Sequence, residues 1–320
     1  MVRHPRQTEL YHGADMKKSR LLFTIYALGL SPLPLEAQYI GAQFPGIAGL
    51  EAGTQPGPGY YVTIPLYYSL RSISLYDAQG DQIAKRLTGT INLFTLPAVQ
   101  VVTPLKILGG NYGASFSQWI INGEVNVAST SFQRSTSYAY GDIYMQPFIL
   151  GWHLSHFDVT AAYAFFAPTG GGTAGLHMWV NEEDFGLTYY PDAGKKWNLS
   201  TMAYYDYNRP KHTQDVQVGN VLTLAGGIGR HFLKGAGNAG VAYDAQWKTS
   251  NDTGSDIPPF LPITNGRAFA VGPDVTVPVF AKGRNVGLLS FHYEWIVGAK
   301  TSLGGQILNA SFTFAHLGAQ

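Results

Sequence analysis

The chain has 320 residues, 45% hydrophobic and only 13% charged, against roughly 25% charged in an ordinary soluble domain. A formal net charge of +1, 13% aromatic residues and no cysteine exclude a disordered chain, a disulfide scaffold and any thiolate chemistry. No stretch supplies the ~18 consecutive apolar residues of a membrane-spanning helix.

Taken in chain order, residues 1–15 read as an upstream extension and Met16 as the natural start. Lys17, Lys18 and Arg20 form a positive region, Leu21–Leu30 is apolar, and Pro32 and Pro34 precede the small Ala37. That is the organisation of a secretory signal over 16–37, with the cut site left open by the large Leu35. Removal of residues 1–37 leaves 16 of the 21 basic and 17 of the 20 acidic residues, so no basic surface for nucleic acid remains. Residues 38–57, with Gly41, Gly46, Gly49, Gly53 and Gly57, read as a flexible lead-in that either plugs a lumen or lies in the periplasm.

From 58 to 316 the pattern changes to alternation with a period of two. Strands are expected at 59–76, 88–103, 110–122, 140–150, 156–167, 179–190, 196–207, 215–229, 238–248, 267–280, 285–298 and 303–314, followed by a tail at 317–320. Phe157, Val159, Ala161, Tyr163 and Phe165 oppose Asp158, Thr160, Ala162 and Ala164. Leu289, Phe291, Tyr293, Trp295 and Val297 oppose Ser290, His292 and Glu294. In Ala268–Val279, Val275 and Val277 should face one side and Asp274 and Thr276 the other, with a break at Pro273. Alternation repeated about a dozen times behind an export signal implies a wall between lipid and water. The fold class is therefore all-β, an antiparallel transmembrane outer-membrane barrel of about 12 strands.

The connections point the same way. Short turns are expected near 151–155, 191–195, 230–237 and 281–284, and longer polar loops at 123–139, 168–178 and 249–266. Tyr60, Tyr61, Trp152, Trp179, Tyr189, Tyr190, Trp197, Tyr205, Tyr207, Trp247 and Trp295 cluster near strand ends, as interfacial aromatic residues do.

Parity assigns the functional candidates to the lumen. They are Tyr61, Tyr67, Arg71, Asp142, Tyr144, Gln146, Phe148, Asp158, Asp206, Asp244, Lys248, Asp274, His292 and Glu294. A lining of Tyr, Phe, Asp and Gln suits amphipathic solutes such as small aromatic compounds. Alternatively, these acids and bases pair with one another and fill a narrow barrel. Ser290, His292 and Glu294 at alternate positions raise the reading of a barrel-embedded hydrolase, for which no oxyanion stabiliser is recognisable. Gly226-Gly227-Ile228-Gly229 lacks the following helix of a nucleotide loop. Asn251–Asp256 lacks the glutamate of an EF-hand, and the histidines show no metal-ligand spacing. No cofactor or metal is expected.

Several landmarks then recur in order: Pro58-Gly59-Tyr60, Asp77–Asp81, Lys106–Tyr112, Gly141-Asp142, Pro147, Leu150-Gly151-Trp152, Pro168-Thr169-Gly170 and Ala270-Val271-Gly272-Pro273. Over 55–316 they resemble the family of the MetA pathway of phenol degradation. The resemblance implies a porin-like transporter in the bacterial outer membrane, a barrel-assembly machinery as partner, and uptake of small hydrophobic or phenol-like solutes. The chain departs from the family at Asn208–Gln214, and Phe314 is followed by Ala315–Gln320 instead of ending the chain.

Overall fold

The computed structural model describes residues 42–82, 87–95, 97–127, 133–135, 137–257 and 266–314. The extension 1–15, the signal 16–37, the first part of the lead-in, parts of the loops 123–139 and 249–266 and the tail 317–320 lie outside the described residues.

The strands are β1 (Gly59–Tyr76), β2 (Leu87–Thr95), β3 (Ala98–Ile107), β4 (Gly110–Val127), β5 (Gln133–Ser135), β6 (Ala139–His153) and β7 (Phe157–Ala167). They continue with β8 (Val180–Tyr189), β9 (Trp197–Asn208), β10 (Val221–Phe232), β11 (Gly237–Lys248), β12 (Arg267–Ala281), β13 (Arg284–Lys300) and β14 (Ser302–Phe314). All 14 belong to one antiparallel sheet, closed by β14 against β1 from Val62↔Phe314 to Tyr76↔Ser302. β2 and β3 are two halves of one wall strand, since both pair with β4, and β5 only extends β4 as a hairpin. The wall therefore has twelve strands. Closure leaves no free edge for another chain to pair with.

The distribution of side chains is inverted relative to a soluble protein. Phe185, Ile228, Val241, Phe291 and Val297 are exposed on the outer face, whereas Asp158, Glu182, Asp206, Asp244 and Glu294 are buried inside. Apolar-out and polar-in is stable only where the outer solvent is hydrocarbon. Val275 and Val277 pair with outward Phe291 and Leu289; Asp274 and Thr276 pair with inward His292 and Ser290. The ladder skips Gly272 and Pro273, where proline has no N–H to donate. Tyr60, Trp179, Tyr189, Trp197, Tyr207 and Trp295 are exposed, as a girdle requires, but Tyr190 points inward and is 2% exposed.

Bulges overturn the parity at three of the lumen candidates. On β1, Leu66 is an extra residue between Pro65↔Ser311 and Tyr67↔Ala310. Beyond it Tyr68 and Leu70 are buried inside, so Tyr67 and Arg71 face outward, not into the lumen. The Arg71 guanidinium donates to the Tyr67 hydroxyl and lies 5.2 Å over that ring. On β6, Gln146 and Pro147 together oppose the single Ala164. Phe148 consequently pairs with outward Tyr163 and is 57% exposed instead of lining the lumen. A bulge shifts every later side chain to the other face. The strand expected from 215 starts only at Val221. Residues 209–220 form a loop whose Val216 and Val218 pack with Met178 and Phe166 over one end of the barrel.

Candidate functional site

The lumen is occupied by the chain's own residues 42–57, which run down its inside before entering β1. Each turn of this segment meets an inward side chain. The amide of Ala42 donates to Asp206 at 2.9 Å, and Gly46 donates to Asp244 at 2.8 Å. Gln43 gives its amide hydrogens to both oxygens of Glu182, at 2.7 and 2.6 Å. The carbonyls accept in turn: Pro45 from Tyr68, Gly46 from Asn309, Leu50 from Asn198 and Ser200, and Gly53 from Thr160. An irregular backbone inside a barrel has no ladder of its own, so wall side chains satisfy its polar groups.

The short-turn end carries ionic contacts. Glu51 lies 3.1 Å from His231 Nε2. Thr54 and Tyr190 both donate to Asp158, which also lies 3.2 Å from His153 and 3.6 Å from Lys195. Burial pushes the Tyr190 phenol up from its ordinary value, so it stays a donor.

Tyr61 donates to the Gly57 carbonyl, Tyr144 to Glu182 and Gln146 to Asp184. Asp142 accepts the amides of Gly170 and Leu176, and Lys248 holds Asp252 at 2.8 Å. Among the described residues, most of these acids hold the inner segment or a loop. Sequence reading missed Glu182 and Asp184, buried on β8 at the parity of Thr188, where the same alternation identifies them. Ser290 Oγ shares a hydrogen bond with Thr276, while His292 Nδ1 meets Asp274 at 2.9 Å and Nε2 faces Glu294 at 3.4 Å. The Ser290–His292 pair of the hydrolase reading is not assembled.

A cavity of about 450 Å³ remains between the inner segment and the wall. Phe44 and Ile47 line one side; Thr276, Ser290, Ser311 and Thr313 line another. The cavity extends to Pro65, Val99 and Phe116, beside the place where the pairing of β1 passes from β3 to β2. Among the described residues, β1 pairs there with β3 over Gly59–Thr63 and with β2 over Tyr68–Arg71. Val99 and Phe116 are outward residues, 38% and 37% exposed.

At the long-loop end, loops 168–179 and 209–220 meet over the lumen through Arg209 N–H to Trp179 O and His212 N–H to His177 O. Loop 209–220 is tied to the next one by Asp215, which accepts the Ser255 amide and hydroxyl. Those bonds hold the Asp215 carboxyl below its ordinary value. Its contribution is present above that value, about 3.9, and is lost as the pH falls below it. Hydrogen exchange at the Ser255 amide, relative to its intrinsic rate, should therefore accelerate on going from about pH 5 to about pH 3. Equal protection at both would show that Asp215 does not hold the loop.

A closed antiparallel barrel, apolar outside, polar inside and with residues 42–57 in its lumen, defines an outer-membrane β-barrel fold. The chain belongs to the family described as "Putative MetA-pathway of phenol degradation", which matches residues 74–312. Its fold is that of an outer membrane channel from Pseudomonas putida F1, with a TM-score of 0.67 at 11% identity over 85% of this chain and 99% of that one. A weaker likeness, TM-score 0.43 at 10% identity over 80% of this chain and 98% of the other, is to the beta domain of the Bordetella autotransporter Brka. No curated protein sequence matches the chain significantly.

Proposed function

We propose that the chain is an outer-membrane channel for small hydrophobic or aromatic solutes, with phenol-like compounds as the substrate class. The observation that carries this reading is the cavity beside Phe44, which reaches the wall where β1 parts from β3. A ring of hydroxyls opposite an aromatic face suits a flat solute with one polar group. The place where β1 passes from β3 to β2 is the path we propose for such a solute to move sideways between lumen and bilayer without crossing water. Pro65 and Pro97 lie at that place, and neither has an N–H to donate to the ladder. The family and the fold likeness support the same reading.

The test is entry of the fluorescent aromatic N-phenylnaphthylamine into liposomes with a lipopolysaccharide outer leaflet. Wild type should speed entry over protein-free vesicles. Ser311→Trp, which fills the cavity, should slow it severalfold while the barrel stays folded. Equal rates for wild type and empty vesicles would overturn the reading.

A further inference from the structure

We propose that Asp244, His292 and Glu294 form a binding site for one first-row divalent cation, zinc being the best match, inside the barrel. One ligand atom from each residue lies within 4.8 Å of the others, and all three residues are buried. The spacing is close to what a single ion with metal–ligand bonds of about 2.0–2.2 Å draws together.

The orientation of the imidazole is the stronger observation. His292 Nδ1 is 2.9 Å from Asp274 Oδ2 and donates to it. This is the arrangement in which a carboxylate fixes the tautomer of a metal-ligating histidine. The lone pair on Nε2 then points at Glu294 Oε1, 3.4 Å away, so two acceptors face each other across an open position. Among the described residues, neither Nε2 nor either oxygen of Glu294 has a hydrogen-bond partner, although Glu294 is 0% exposed. A buried carboxylate without a partner is costly, and a cation between it and the imidazole removes that cost. One nitrogen and two carboxylates favour zinc or a neighbouring transition ion over magnesium or calcium, which take oxygen alone.

The ligands were illegible as a motif because they come from different strands. Gly272 of β12 closely approaches the Glu294 backbone of β13, where a Cβ on the glycine would stand 2.8 Å from the Glu294 Cα, and Asp244 on β11 lies opposite Ala270. Those two small inward residues leave space above β12 for the acids to meet. The inner segment seats on the same group: Gly46 donates to Asp244, and a Cβ at Gly46 would stand 2.9 Å from the His292 ring. The cavity reaches His292 and Asp274, giving an ion a path to the site.

The full chain, purified from membranes in detergent and stripped with a chelator, is dialysed against buffered zinc and then counted by elemental analysis. Wild type should retain one equivalent, and cobalt in its place should give visible d–d absorption. Glu294→Gln and Asp244→Asn should each weaken zinc binding at least tenfold. Asp274→Asn, which touches only the outer nitrogen, should cost about 10–100-fold. Heat-modifiable mobility on gels reports that each variant is folded. A folded wild type that retains no zinc beyond the level of Glu294→Gln would overturn the site and leave an imidazolium held between carboxylates.

Discussion

Deleting residues 42–57 should turn a closed barrel into a conducting one. A barrel of about eight strands is filled by its own side chains and one of 16–18 holds a water channel, so a twelve-stranded lumen has room for water once emptied. The deletion exposes Glu182, Asp206, Asp244 and Asp158, whose hydrogen bonds to the segment are lost. An uncovered set of carboxylates attracts cations. In planar bilayers, conductance should rise by about tenfold or more, with cation selectivity. The wall should survive, because its ladder hydrogen bonds do not involve the segment. An unchanged conductance would mean that loops 168–179 and 209–220, not the inner segment, close the barrel.

Gly53→Ala should dislodge the same segment with a single methyl group. A Cβ at Gly53 would lie 2.3 Å from the backbone of Leu187 in β8, and the Gly186 position meets the Gly53 Cα at 2.8 Å. The two glycines therefore pack back to back, and backbone atoms cannot step aside as a flexible side chain can. The segment would have to lift off, losing the Gly53 bonds to Thr188 at 3.1 Å and Thr160 at 2.9 Å. Overpacking of this kind costs about 1–3 kcal/mol. Faster cleavage of the inner segment by an added protease, and a lower unfolding midpoint in denaturant, should report it. Gly57→Ala is the control, since a Cβ there meets nothing within 4 Å. If both variants behave like wild type, the close approach at Gly53 does not hold the segment.

Much of the wall was legible from residue order. Alternation located the strands from β6 to β14 within a few residues, apart from the late start of β10, because one face of each meets lipid and the other the lumen. It failed where the period itself broke. Leu66 and the Gln146–Pro147 pair are bulges, and a bulge is defined by how many residues the partner strand sets opposite, which one strand cannot reveal. That is why Tyr67, Arg71 and Phe148 were assigned to the wrong face. Glu182 and Asp184 were within reach of the same rule and were overlooked.

A lipid-facing β-wall follows from residue order alone, since period-two alternation is a local property of an extended chain. What the wall encloses emerges only once the barrel has closed. The path of residues 42–57 follows from side chains more than a hundred residues away, such as Asp206 for Ala42 and Asp244 for Gly46. The meeting of Asp244 with His292 and Glu294 likewise exists only because β11, β12 and β13 lie side by side, with small residues between the acids. Contacts across a closed sheet depend on register and closure, which local pattern does not encode.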